Sequence, residues 1–399
     1  MSKRLLAAAA LTAAGVMMSA YASAQDTVKV GVLTDMSSIY ADISGEGSVV
    51  AVEMAIEDFG KDLLGSPIEV VSADHQNKAD VGTNIARQWY DLDGVDAIVD
   101  VNNSAVAIGV SQIATEKDKI ALFVGAATTA LTGEFCTATT AQWLYDTYSV
   151  VRGTVEALQE SGATSWYFIT ADYAFGHSLE EEATRFIEEG GGEVLGSVRA
   201  PIGTTDYASF LLQAQASGAD VIGLALSGAD LVNVVKQASE FGIRQSGQQL
   251  AAMLATEANI HSLGPKAAAG IKFSSPFYWD LNDETRAFAR RFEERMKRPP
   301  TMMQAGVYSA VNHYFKAVEK AGTTDAEAVM AAMRELPIND FMTENGTLRK
   351  DGRAVRDVYL FEAKSAEESS GEWDLYKVIS TTPGDVATRP LDEACFLVR

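Results

Sequence analysis

Two stretches restrict the fold of this 399-residue chain more than any others: residues 97–108 (AIVDVNNSAVAI) and residues 121–132 (ALFVGAATTALT). Each opens as a short, unbroken apolar run, the mark of a strand buried on both faces. Each then breaks into small polar residues, Asn102, Asn103 and Ser104 in the first and residues 125–129 in the second, ahead of a helical pattern. Strand-to-helix turns of this kind belong to a parallel α/β sheet. They lie at the carboxyl ends of the strands, where open sheets bind ligands, and their free N–H groups and helix dipoles favour an anion. The expectation that follows is that the two turns hold the carboxylate of a small solute.

The same alternation runs on both sides of them. Residues 28–33 read as a strand and 47–59 as a helix, with a loop at 34–46 that carries Tyr40. A strand at 68–73 and a helix at 80–92 come next, and a helix over 143–159 follows the two central turns. The rhythm then restarts, with strands expected at 166–170, 193–198, 221–226, 249–254 and 270–274, and helices at 178–189, 207–217 and 230–241. Strands alternating with helices mean βαβ units and a parallel sheet, and a second series means a second, similar lobe. Helices at 283–295, 302–321 and 325–336, a tight turn at Asn345-Gly346 and a strand pair at 358–362 and 373–379 complete the chain. Helices after the second series, then strands, make the chain cross between lobes more than once, which builds a hinge.

The first 24 residues stand apart. Lys3 and Arg4 precede an apolar run, and Ala22-Ser23-Ala24 is a small-residue cleavage pattern, so residues 1–24 are expected to be a signal peptide and the mature chain to start at Gln25. No later apolar run is long enough to span a bilayer, which leads to an expected location in a bacterial periplasm. The 375 residues that remain exceed the ~250–300 at which one core stops growing, so two lobes are required. The formal net charge of −22 argues against nucleic acid, whose binding rests on cationic contacts to phosphate. A small anionic ligand stays open, because local N–H groups outweigh a distant, screened surface charge. Cys136 and Cys395 are the only cysteines. In an oxidising compartment a disulfide between them is expected, tying the C-terminal tail to the loop after the second turn.

Catalytic patterns are missing. The four histidines, His75, His177, His261 and His313, have no HExxH spacing, and there is no GxSxG elbow and no phosphate-binding GxxxxGK loop. The glycines at 190–192 follow a helix and precede a strand, the reverse of a dinucleotide cradle. Neither an enzyme nor a metal or cofactor site is expected.

Taken together, the opening VGVLTDMSSIYAD, the turns VNNSAVAI and GAATTALT, the segment TADYAFGHSLEEEA and the late PTMMQAGVYSAV resemble the periplasmic solute-binding proteins of branched-chain amino acid type ABC transporters. The likeness covers nearly the whole mature chain, in order. It implies a type I periplasmic binding fold, two Rossmann-like lobes with parallel sheets joined by a three-crossover hinge, divided as 25–147 plus 276–355 and 148–275 plus 356–399. It also implies a monomer that delivers its ligand to an inner-membrane permease. In that family the first-lobe turns bind the ligand carboxylate, which carries over to Asn103 or Ser104 and to Ala126, Ala127 and Thr128. A second-lobe aromatic covers the ligand, here Phe175 with Tyr173 nearby. An acid that holds an α-ammonium group matches Glu257, or the alignment selects Asn259. The segments DMSSIYAD, DHQNKADVG, TADYAFGH and FYWDLNDETRAF are similar to the branch that binds aromatic acids of benzoate, hydroxybenzoate or phenylpropanoid type.

Aromatic residues in loops expected to face the cleft, Tyr40, Tyr173, Phe175 and the run Phe277, Tyr278 and Trp279, agree with that branch in kind. Plainer roles stand beside these. Ser104 and Thr128 suit helix caps and Asn103 suits a turn. Tyr40 suits an exposed loop, Tyr173 and Phe175 suit packing against the next helix, Glu257 suits a solvated loop, and Tyr278 suits a buried cluster between lobes. The ligand alternatives are an aliphatic or branched-chain amino acid, or a solute reported to a receptor rather than delivered to a permease.

Overall fold

The computed structural model describes residues 27–399, so the expected signal peptide, residues 1–24, lies outside the described residues. In the first lobe, strands β1 (Val28–Thr34), β2 (Asp62–Leu63), β3 (Ser66–Asp74), β4 (Ala97–Asp100), β5 (Ile120–Phe123) and β6 (Thr140–Gln142) form one sheet in the order β2-β3-β1-β4-β5-β6. All of its pairings are parallel except the short β2–β3 hairpin. The apolar runs read from the sequence are buried on both faces because successive side chains alternate. Ile98, Ala121 and Phe123 join a core with Trp89 and Val106 from the helices Ala79–Asp91 and Ser104–Glu116. Val99, Ile120 and Leu122 point the other way, into a core with Met54 and Phe315 from the helices Gly45–Phe59 and Met302–Ala321.

The second lobe repeats the plan. Strands β7 (Ser165–Ala171), β8 (Glu193–Ala200), β9 (Val221–Ala225) and β10 (Gln249–Ala252) pair in parallel in the order β10-β9-β7-β8. The parallel strands of the first lobe run β3-β1-β4-β5, so in both sheets the first strand lies between the second and the third. In both lobes the strand order therefore reverses beside the first strand, and the crevice outside the carboxyl ends of the strands at that reversal is where such sheets hold ligands. Strand β11 (Lys272–Ser275) is followed by β12 (Ile338–Asp340), β13 (Thr343–Leu348) and β14 (Ala354–Val355), which make a small antiparallel sheet. Strands β15 (Val358–Ala363) and β16 (Tyr376–Thr382) then pair antiparallel with each other, and β15 also pairs with β11.

Arg353, just before β14, donates from Nε to the Oδ2 of Asp146, 3.0 Å away, and both side chains are only 1% exposed. Cys136 and Cys395 form a disulfide, which draws the end of the chain back against the first lobe. Among the described residues no helix is long and apolar enough to cross a membrane.

Three local expectations change. After the second central turn there is only one 3-10 turn, Thr129–Thr132, in place of an amphipathic helix. Gly133 ends it, and the chain goes on to the disulfide at Cys136 rather than back across a sheet face. The helix expected from residue 143 starts at Thr147, because Asp146 caps it and Trp143, Leu144 and Tyr145 are buried in irregular chain after β6. Asn345-Gly346 is not the tip of a turn. It lies inside β13, where Asn345 takes a φ of 54° and Gly346 sits opposite Ile338.

Candidate ligand-binding site

The segments leaving the strands at the two sheet reversals meet face to face. Tyr40 and Ile43 follow β1, Asn102 and Ser104 follow β4, and Gly125 follows β5; Tyr173 and Phe175 follow β7, Ser227 follows β9 and Leu254 follows β10. With Tyr145 and Met303 these residues line a small cavity.

On the first-lobe wall the turn after β4 is strained. Asp100 has a φ of 79° and Val101 a φ of 51°, and a β-branched residue is rarely held in the left-handed region. Backbone bonds impose this conformation: Val101 N–H donates to the Leu33 carbonyl, and the Asp100 carbonyl accepts from the N–H groups of Val124 and Gly125. Burial lifts the Asp100 carboxyl to about 6, against a hydrogen bond from the Ser48 hydroxyl. The turn brings Asn102 and Ser104 to the cavity. Asn102 accepts from the Asp35 N–H through Oδ1 at 2.9 Å, and Ser104 Oγ accepts from the N–H groups of Ala127 and Thr128, both at 3.3 Å. Two N–H groups thus stand behind the Ser104 hydroxyl at the cavity.

Aromatic rings make the rest of the wall. The hydroxyls of Tyr40 and Tyr173 lie 2.5 Å apart across the lobe boundary, and Tyr145 donates to the Gly125 carbonyl at 2.9 Å. Tyr173 and Phe175 pack with ring centroids 5.8 Å apart. Burial pushes the Tyr40 and Tyr173 phenols well above their ordinary range, so both are neutral. A backbone bond also joins the lobes, from Ala229 N–H to the Ile39 carbonyl at 3.1 Å. The approach is close enough that a Cβ on Gly228, whose φ is 61°, would lie 2.3 Å from the Ile39 oxygen. Glycine is required there, and the cleft is closed.

Of the residues singled out from the sequence, Tyr40, Ser104, Tyr173 and Phe175 line the cavity, and Ala127 and Thr128 reach it through the N–H groups on Ser104. The others are committed elsewhere. Asn103 caps the helix Ser104–Glu116 by accepting from Ala105 and Val106, and the Ala126 carbonyl accepts from Gln142. Asn259 closes a capping box with Thr256 and donates to the Gly228 carbonyl. Tyr278 donates to the Trp373 carbonyl and accepts from the Leu375 N–H. Glu257 is not a solvated loop acid: it is 1% exposed and accepts from the Met302 N–H at 3.3 Å, with its other oxygen unpartnered. Burial lifts its carboxyl to about 8. Ile43, Asn102, Gly125, Tyr145, Ser227, Leu254 and Met303 complete the lining. Asn102 and Gly125 carried a sequence signal as the residues where the apolar runs break, and Ser227-Gly228 repeats that signal after β9. Tyr145 and Met303 had none, being buried aromatic and helical residues like many others.

Residues 27–370 match the family model described as periplasmic binding protein. A periplasmic binding protein from Burkholderia mallei is 43% identical in sequence, with a TM-score of 0.91 over 94% of this chain and 100% of that one. A branched chain amino acid ABC transporter periplasmic ligand-binding protein from Burkholderia xenovorans is 42% identical, with a TM-score of 0.80 over 91% of this chain and 97% of that one. A solute-binding protein of an ABC transporter from R. palustris, solved in complex with 4-hydroxybenzoate, shares the fold at 22% identity and a TM-score of 0.81, over 90% of this chain and 98% of that one. With two lobes of matching strand order closed over a small cavity, and a family match spanning most of its length, the chain belongs to the periplasmic binding proteins, which bind solutes rather than transform them.

Proposed function

We propose that this protein binds a small aromatic carboxylate of the benzoate type between its lobes and delivers it to an inner-membrane ABC permease. The observation that carries this reading is the composition of the cavity wall. Four rings line it, Tyr40, Tyr145, Tyr173 and Phe175, and no acidic side chain does. An amino acid would leave its α-ammonium without a counter-charge, and an unpaired buried charge is costly. Glu257 does not supply one, since burial keeps its carboxyl protonated up to about pH 8 and it accepts from Met302 outside the lining. The carboxylate of the ligand meets the Ser104 hydroxyl, with the N–H groups of Ala127 and Thr128 behind it.

Both halves of the site are needed. Burying a ring of ~150–250 Å² contributes roughly 4–6 kcal/mol, micromolar affinity requires about 8, and charge-assisted hydrogen bonds at ~1.5–3 kcal/mol each make up the difference. The lobes are taken as 25–147 with 276–355 and 148–275 with 356–399, the end of the second drawn back by the disulfide. The mature chain is taken to begin at Gln25 and to act as a monomer in the periplasm, where closure on the ligand presents both lobe faces to the permease.

A thermal shift series separates the readings, because stabilisation grows with the logarithm of ligand concentration over Kd. Benzoate and 4-hydroxybenzoate are expected to raise Tm and leucine to leave it unchanged. A rise with leucine and none with the aromatic acids would return the site to aliphatic amino acids.

A further inference from the structure

We propose that the hydroxyl of Ser227 reads the end of the ligand opposite its carboxylate, so that the site prefers aromatic acids carrying a hydroxyl at the far end of the ring. This rests on the aromatic-carboxylate reading above and deepens it.

Ser227 occupies the N-cap position of the helix Gly228–Glu240, and its extended backbone (φ −150°, ψ 177°) is that of a cap. A serine there ordinarily turns its hydroxyl onto the backbone N–H two or three residues on. Here the side chain makes no capping bond. It is 2% exposed, its Oγ has no hydrogen-bond partner, and it lines the cavity. The turn that carries it is fixed from two sides, by Ala229 N–H on the Ile39 carbonyl and by Asn259 Nδ2 on the Gly228 carbonyl, 3.2 Å away. The hydroxyl is therefore presented to the cavity by a rigid turn that does not use it.

The other hydroxyls of the lining are committed. Tyr40 and Tyr173 bond each other, and Tyr145 bonds Gly125. Ser104 is held by two N–H groups on the first-lobe wall, where the carboxylate binds. Ser227 stands on the second-lobe wall, following β9, and its companions from β7 and β10 are Tyr173, whose hydroxyl is taken by Tyr40, and the apolar Phe175 and Leu254. A buried hydroxyl left unpaired costs about 1–3 kcal/mol, and a site built around one discriminates strongly against a ligand that cannot pair it. A ring bearing a carboxylate at one end and a hydroxyl at the other satisfies both walls at once.

Calorimetric titration of the full-length mature protein and of S227A with benzoate and 4-hydroxybenzoate tests this. The parent protein is expected to bind 4-hydroxybenzoate at least tenfold more tightly than benzoate. In S227A the preference is expected to fall below about threefold, through loss of affinity for 4-hydroxybenzoate with benzoate unchanged or tighter, while S227T, which keeps a hydroxyl, retains the preference. Equal binding of the two acids by the parent protein, or an equal loss of both in S227A, overturns the assignment of Ser227 and leaves the aromatic reading intact. If neither acid binds the parent protein, the aromatic reading itself has failed.

Discussion

Glu257 illustrates how burial alone changes what a side chain does. On a solvated loop it would be an ordinary carboxylate; enclosed against Met302, with the phenols of Tyr278 and Tyr376 as the titratable neighbours that feel its charge, it holds its proton up to about pH 8. A folded-state pKa raised above the unfolded value means that the stability contributed by the neutral form is complete below about pH 4.5. It is then lost as pH rises through about 8, at up to about 1.4 kcal/mol per pH unit. In E257Q, which keeps an acceptor for the Met302 N–H without an ionisable group, this loss is expected to disappear. Urea unfolding of both proteins from pH 5 to 9 measures it, and parallel curves would show that Glu257 ionises freely. Gly228 makes the opposite point, since its value lies in what it lacks: any Cβ would strike the Ile39 oxygen and hold the lobes apart.

Helix starts govern both walls of the cleft, and whether a polar residue caps its helix or faces the cavity is decided element by element. Asn103 caps: its Oδ1 accepts from two N–H groups of the helix Ser104–Glu116. N103A is therefore expected to lower unfolding free energy by about 1 kcal/mol, within the usual ~0.5–2 for a lost cap, and to change ligand affinity by less than about threefold. Denaturant melts and calorimetry read the two effects separately, and a large affinity loss without destabilisation would assign Asn103 to the ligand. Ser104, one residue on, faces the cavity. The adjacent pair divides between structure and site because the side chain at the cap is turned back onto the helix, while the next one is carried away from it.

At the scale of the whole molecule, the C-terminal tail acts as a strap. The short helix Gly384–Ala387 lies on the second lobe, where Arg152 donates to the Val386 carbonyl. Arg389 then donates to the Thr129 carbonyl of the first lobe and receives Arg349 on its own carbonyl, and the disulfide at Cys395 fastens the end. This cross-link spans 259 residues of sequence. Removing a link of that reach is expected to lower unfolding free energy by about 2–4 kcal/mol. Because the strap passes from one lobe to the other, ligand is also expected to leave faster from C136S/C395S than from the parent protein. Urea melts and stopped-flow ligand release check the two claims, and an unchanged melt would mean the tail carries no structural load.

How far the sequence reaches follows from the range of the forces involved. Apolar periodicity and turn chemistry are local, so the βα rhythm, the paired lobes and the breaks at Asn102 and Gly125 could be read directly from the residues. Tyr40, Ser104, Tyr173 and Phe175 were legible as lining candidates because each follows a few residues after an apolar strand. Nothing local distinguished Tyr145 and Met303 from core residues, or Glu257 and Tyr278 from cleft residues, since a residue's neighbours in space come from other lobes and other passes of the chain. The lost helix after the second central turn has the same origin, with Gly133 and the link from Cys136 to Cys395 overriding a helical pattern. The sequence determines which segments can carry a site; only the closing of two lobes on each other decides which of their side chains meet, because that contact rests on distances between residues far apart along the chain.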